Sequence, residues 1–266
     1  MPKPLFILQE NDGAVLLNFP HSGTYVPDDI SGKLNDRGKE VPDTDWHVPK
    51  LYQFAKDQVT WLQATHSRYV IDLNREPSGA ALYQGQAGTD LCPITDFAGN
   101  EIYLPGNVPN TEQRKKQYFT AYHQQLSAQI KRIKSRHGIC VMVDCHSITS
   151  QVPRLFDGKL PDLNLGTFNG LSCSPALAKT ANEALQNSGF SFVSDGRFKG
   201  GWITRHYGRP EQDVHVLQLE ISQSCYMHEA KPQEYDPAKA KALENVLEKL
   251  LQAINAWALT HKEIIR

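Results

Sequence analysis

A chain of 266 residues has room for one large domain or two small ones, with ample interior for a core. Its 28 Lys and Arg against 29 Asp and Glu leave a net charge of −1, so no basic stripe exists to neutralise a nucleic-acid backbone. Apolar runs such as Ile139 to Val143 fall far short of the ~20 residues that cross a bilayer, and the first ten residues lack a signal peptide's apolar segment and cleavage site.

Five irregularly spaced Cys with no CxxC pair read as reduced thiols, which points to the cytoplasm. Taken in chain order, Ala14 to Phe19 is an apolar run that ends at Pro20, the pattern of a buried strand. Similar runs at Tyr69 to Ile71, Ile139 to Val143 and Val214 to Leu219 pass directly into Asp72, Asp144 and Glu220. Each delivers polar groups at a strand's C-terminal end, where open α/β sheets bind ligands. Residues 76–110 and 148–174 are rich in Gly, Pro, Asn and Asp and read as long functional loops.

Tyr122, Leu126, Ile130 and Ile133 recur at helical spacing after a cap at Thr111 and before Gly138 as a stop. Leu243, Leu247, Leu250, Ile254 and Trp257 form a second helical stripe, suited to an outer layer. Alternating strands and helices predict an α/β fold with a mostly parallel or mixed sheet, as one domain over residues 1–266.

Two histidines stand at strand ends, His21 and His146. Each alone is more often a hydrogen-bonded structural residue, but a pair on rigid mounts suits a metal, with Asp144 supporting His146 from two residues away. A third ligand is sought in Asp43-Thr44-Asp45-Trp46-His47, where Asp45 is chosen and Asp43 and His47 stay open. Two His and one carboxylate form a zinc site with room for water, and the same ligands also accept Mn, Fe or Co. The plainer role for Asp43 or Asp45 is to cap a helix over residues 46–55.

Glu220 is either a base whose pKa is raised by burial or half of an edge salt bridge. Arg68, Arg75, Arg154, Arg197 and Arg205 lie in loop contexts, and a cluster of them would select a small anionic substrate. The absence of GxSxG and GxxxxGK[ST] argues against a serine nucleophile elbow and a P-loop.

Asn18-Phe19-Pro20-His21-Ser22-Gly23, Asp43 to Val48, Asp72-Leu73-Asn74-Arg75, Asp144 to Ile148, Gly196 to Gly201 and Gln218-Leu219-Glu220 together resemble the N-formylglutamate amidohydrolase family, from about Phe19 to Met227. The resemblance implies a zinc-carboxypeptidase-like (phosphorylase/hydrolase-like) fold and zinc-dependent release of formate from N-formyl-L-glutamate in histidine degradation. It also implies zinc on His21, Asp45 and His146, with Thr24 standing where the wider superfamily has a glutamate ligand. Glu220 matches the general base, Arg68 the group that polarises the carbonyl, and Asn74 with Arg75 the carboxylate-binding pair. Arg154, Arg197 or Arg205 would take the second carboxylate, and Phe198 or Trp202 could close a tight acyl pocket. The alternatives are a zinc hydrolase of another N-acyl amino acid or a peptide C-terminus, and a non-catalytic binder of anionic metabolites.

Overall fold

Three apolar runs become the central strands of the sheet, because strands buried on both faces need near-continuous apolar sequence. The structure, a computed structural model, describes residues 3–80 and 89–264. Strands β1 (Phe6–Gln9), β2 (Val15–Phe19), β3 (Thr60–Ala64), β4 (Cys140–Ile148), β5 (Leu163–Gly166), β6 (Phe192–Ser194) and β7 (Val214–Ser222) form one seven-stranded sheet in the order β1-β3-β2-β4-β7-β5-β6. β1 runs antiparallel to β3 and β5 antiparallel to β7; the other pairs are parallel. The helices are α1 (Asp28–Ser31), α2 (Asp36–Lys39), α3 (Val48–Leu51), α4 (Thr111–Arg114), α5 (Thr120–His137), α6 (Pro175–Gln186), α7 (Trp202–Tyr207) and α8 (Pro237–Ile264). None of the described helices is long and apolar enough to cross a membrane.

Alternate residues of β2, β4 and β7 divide between two cores. Leu17, Phe19, Val141, Val143, Leu217 and Leu219 pack with side chains of α3, α6 and α8 on one face. Leu16, Cys140, Met142, Val214 and Val216 pack on the other with Tyr122, Leu126, Ile130 and Ile133 of α5 and with Trp202 and Ile203 of α7. The fold is thus α/β, a mixed sheet between helical layers.

Several expectations are corrected. Tyr69 to Ile71 is no strand but a buried bend after β3, whose Tyr69 and Val70 carbonyls accept from Arg114 Nη1 at 3.2 and 3.1 Å. Periodicity cannot separate such a run from a strand; the buried guanidinium replaces the sheet's hydrogen bonds. β4 and β7 run on through Asp144 to Ile148 and Gln218 to Ser222, so His146 and Glu220 lie within strands.

Asn110, rather than Thr111, caps α4 by accepting from Gln113 N, and a π-helical turn at Lys115–Phe119 joins α4 to α5. Gly138, with φ of 76°, ends α5 as expected. Neither Asp43 nor Asp45 caps a helix, since α3 begins only at Val48, behind His47 in the left-handed region. Residues 148–174 contain β5, and residues 81–88 of the expected loop 76–110 lie outside the described residues.

Candidate active site

On the face that carries α5 and α7, the residue type changes along each central strand. Leu16 gives way to Asn18, Met142 to Asp144 and His146, and Val216 to Gln218 and Glu220. Parallel register aligns Asn18 with Asp144, Asp144 with Gln218, and His146 with Glu220. The apolar core therefore becomes a polar row at the C-terminal ends of three strands, where they open into a cavity of about 540 Å³.

His21 lies just beyond β2, and its carbonyl accepts from the Asp45 N–H at 3.0 Å, bringing the Asp45 segment to the strand end. The ligand atoms of His21, Asp45 and His146, all three buried, lie within 4.8 Å of one another. Each imidazole is oriented from behind. His21 Nε2 is 2.7 Å from Asp72 Oδ1, and His146 Nε2 is 3.0 Å from Asp144 Oδ2.

Those carboxylates accept from the Nε2–H groups, so the Nδ1 lone pairs face Asp45 Oδ2, 3.9 Å away for His21 and 3.0 Å for His146. Acceptors converging in a buried space call for a cation between them. A metal fits this donor set, with carboxylates behind both ligating imidazoles. Without a cation, burial works against protonation of His146, yet Asp144 and Asp45 hold its pKa well above the ordinary value. Burial and the Arg68 charge keep that of His21 low.

Of the alternatives to Asp45, neither faces this centre. Asp43 Oδ2 accepts from Tyr69 Oη at 2.8 Å and Phe97 N at 2.9 Å, and His47 Nε2 is bonded to the Pro232 carbonyl at 2.9 Å. Asp213, His215 and His261 form another compact group, at the opposite end of β7. There the Ser174 N–H donates to His215 Nδ1 at 3.1 Å, so the ring proton sits on Nε2. Nε2 is buried without a hydrogen-bond partner among the described residues, and a protonated nitrogen cannot ligate a metal.

Glu220 is buried beside the His21/Asp45/His146 group, and burial, reinforced by Asp45 and Asp144 against His146 and Arg68, pushes its carboxyl up to about 7. A carboxylate near neutrality can both accept and return a proton. Arg68 lines the cavity and is held by Asp72 Oδ2 at 2.8 Å and the Asp43 carbonyl at 3.2 Å; its Nε is buried without a hydrogen-bond partner among the described residues. Burial alone would raise the Asp72 pKa, but Arg75, His21 and Arg68 hold it well below the usual carboxylate range.

Arg75 and Arg197 line the cavity. Arg75 is braced by Thr89, whose Oγ1 accepts from Nη2 at 2.7 Å, and Arg197 by the Leu155 carbonyl at 2.8 Å. Arg154 and Arg205 do not line it. Arg154 is exposed, its chain against Gly99, while Arg205 is turned back on Gly200 O and the Phe168 ring by the start of α7.

Asn74 lines the cavity, but its side chain serves the site's frame. Nδ2 donates to Asp144 Oδ2 at 3.4 Å, behind His146, and Oδ1 accepts from Ile203 N at 2.7 Å. A Cβ on Gly201 would come within 2.4 Å of Asn74 Nδ2, which explains that glycine. Phe198 is in the wall, whereas Trp202 stands behind it, donating to Glu76 Oε2 at 2.6 Å.

Three contributors have no role that the sequence motifs assign: Asp72, which ties His21 to Arg68, Gln218, which faces the cavity two residues before Glu220, and Asn18, whose Nδ2 donates to Asp144 Oδ1 at 2.7 Å. An acid directly after an apolar run was the available sign of the first. Same-side placement with Glu220 was that of the second.

A base near neutrality opposite a metal-competent His/Asp/His group defines a hydrolase built on a mixed α/β sheet. The chain belongs to the N-formylglutamate amidohydrolase family, whose model matches residues 13–227. It is 44% identical over 248 residues to the N-formylglutamate deformylase of Pseudomonas putida, covering 91% of this chain and 92% of that protein. It is 43% identical to the N-formylglutamate deformylase of Pseudomonas aeruginosa, with 91% and 93% covered. The fold is shared with the crystal structure of N-formylglutamate amidohydrolase from Ralstonia eutropha JMP134, at a TM-score of 0.76 and 24% identity, over 93% of this chain and 96% of that one.

Proposed function

We propose that this protein hydrolyses N-formyl-L-glutamate to formate and L-glutamate, as one catalytic unit over residues 1–266, in the cytoplasm and in the degradation of histidine. The observation that carries the reading is the buried His21/Asp45/His146 group beside Glu220, in a cavity whose wall holds three arginines, Arg68, Arg75 and Arg197. The names of the Pseudomonas relatives support the substrate.

His21, Asp45 and His146 would hold a divalent ion, and zinc suits two imidazoles and a carboxylate. Bound there, zinc supplies Lewis acidity for the formyl oxygen and for the attacking water. Glu220 takes one proton from the water as the C–O bond forms and returns it to the nitrogen as the C–N bond breaks; the water's second proton then passes from the formic acid product to the amine, leaving formate and an ammonium group. Arg68, in the cavity wall, sets its guanidinium charge beside the oxygen on which negative charge grows. Arg75 and Arg197 receive the two carboxylates of the substrate, and Asn74, donating to Asp144 Oδ2, keeps that carboxylate behind His146.

The test is formate release by purified protein, before and after chelation and with zinc restored. Turnover that disappears with chelator and returns with zinc is expected, and Glu220→Gln should lower kcat by ~10²–10⁴-fold while substrate still binds. A metal-loaded protein that releases acetate from N-acetylglutamate faster than formate from formylglutamate would overturn the substrate.

A further inference from the structure

We propose that Gln218 is a positioning residue for Glu220, orienting its carboxylate through a side-chain amide whose direction is fixed by the neighbouring loop; this rests on Glu220 being the base. Gln218 is 4% exposed, lies on the same face of β7 as Glu220 and lines the same cavity. Its Oε1 accepts from the Gly201 N–H at 2.7 Å. A backbone N–H demands an acceptor, so the amide cannot be flipped, and the Nε2 end must face Glu220. Nε2 lies 3.5 Å from Glu220 Oε2, a long contact of the kind that shortens once substrate closes a site.

The anchor on the far side is firm. Phe198 to Gly200 pack over β5, where a Cβ on Gly166 would come within 2.6 Å of Gly200 N, and Gly201 packs on the Asn74 amide. Gly201 leads into α7, whose Ile203 N–H holds Asn74 beside His146. The Gln218 amide thus spans the base and the turn that braces the histidine. By donating to Oε2, it leaves Oε1 as the oxygen turned to the reacting proton.

A role confined to the turn would need only the acceptor, which separates the two readings. Gln218→Met keeps the length and loses both contacts. Gln218→Glu keeps an acceptor for the Gly201 N–H and, at pH values high enough to ionise both neighbouring carboxyls, where its kinetics are read, has no donor for Glu220. With zinc-loaded, full-length protein, kcat and KM are measured on whichever member of a panel the wild type cleaves fastest: N-formyl-L-glutamate, N-formyl-L-aspartate and N-acetyl-L-glutamate.

Both variants are expected to lower kcat by ~10–100-fold, as small misplacements of reacting groups do, with KM changed by less than about threefold. Recovery of wild-type kcat in Gln218→Glu, or a rise in KM at constant kcat in either variant, overturns the proposal. Should Gln218→Met lack a cooperative thermal transition, Gln218→Glu decides alone. A wild type that prefers another panel member rejects formylglutamate as the substrate, while the variants on that preferred compound still judge Gln218.

Discussion

The two ends of β7 carry clusters of the same residue types with opposite chemistry. His21, Asp45 and His146 gather at one end, and Asp213, His215 and His261 at the other. Both are compact, and in each a histidine is almost fully buried. What separates them is the partner of the ring's other nitrogen. Asp72 and Asp144 accept from the Nε2–H groups of the first pair and leave Nδ1 open, whereas the Ser174 N–H occupies His215 Nδ1 and forces the proton onto the buried Nε2. Ligand count is therefore a poor guide to a metal site; the hydrogen bond behind each imidazole decides.

The largest effect should come from emptying the first group. Asp45→Ala or His146→Ala is expected to lose the bound ion, counted by elemental analysis, and to reduce formate release by ~10³-fold or more. His261→Gln should alter neither quantity; loss of an equivalent of metal in that variant would erase the distinction. Next come the carboxylates behind the histidines. Asp72→Asn and Asp144→Asn should weaken metal affinity by ~10–100-fold in a chelator competition, although neither touches the ion.

The smallest effect concerns pH. Burial, aided by His261, pushes the His215 pKa down to about 4, below the ~6.5 of an unfolded chain. Between these values the unfolded state binds the extra proton. Its contribution is therefore intact above pH 6.5, declines as pH falls to about 4 and then levels off. In denaturant titrations His215→Gln should flatten this decline by about 1–2 kcal/mol, after discounting for solvent screening.

Much of this was legible in the sequence because parallel central strands spell themselves as apolar runs and place their last residues at the ligand-binding edge. Asp144, His146 and Glu220 follow from that rule. Tyr69 to Ile71 followed it too and misled, since a bend sealed by the buried Arg114 has the same apolar spelling as a strand. The arginines were harder still. Whether Arg197 or Arg205 reaches the cavity depends on where α7 begins, a matter of long-range packing, and nothing local to either residue announces it. Asp72 acquires its importance only when β2 brings His21 to it.

The site also bears on how the molecule comes together in time. Asn18 meets Asp144 across 126 positions of sequence, and Asp45 meets His146 across 101. Contacts of such separation form slowly, because long loops must close before any pairing repays their lost entropy. Helices α5 and α8, built from local contacts, can form well before β2, β4 and β7 lie side by side. During renaturation, recovery of far-ultraviolet ellipticity should run ahead of recovery of the catalytic centre, which belongs to the last and most cooperative step of assembly.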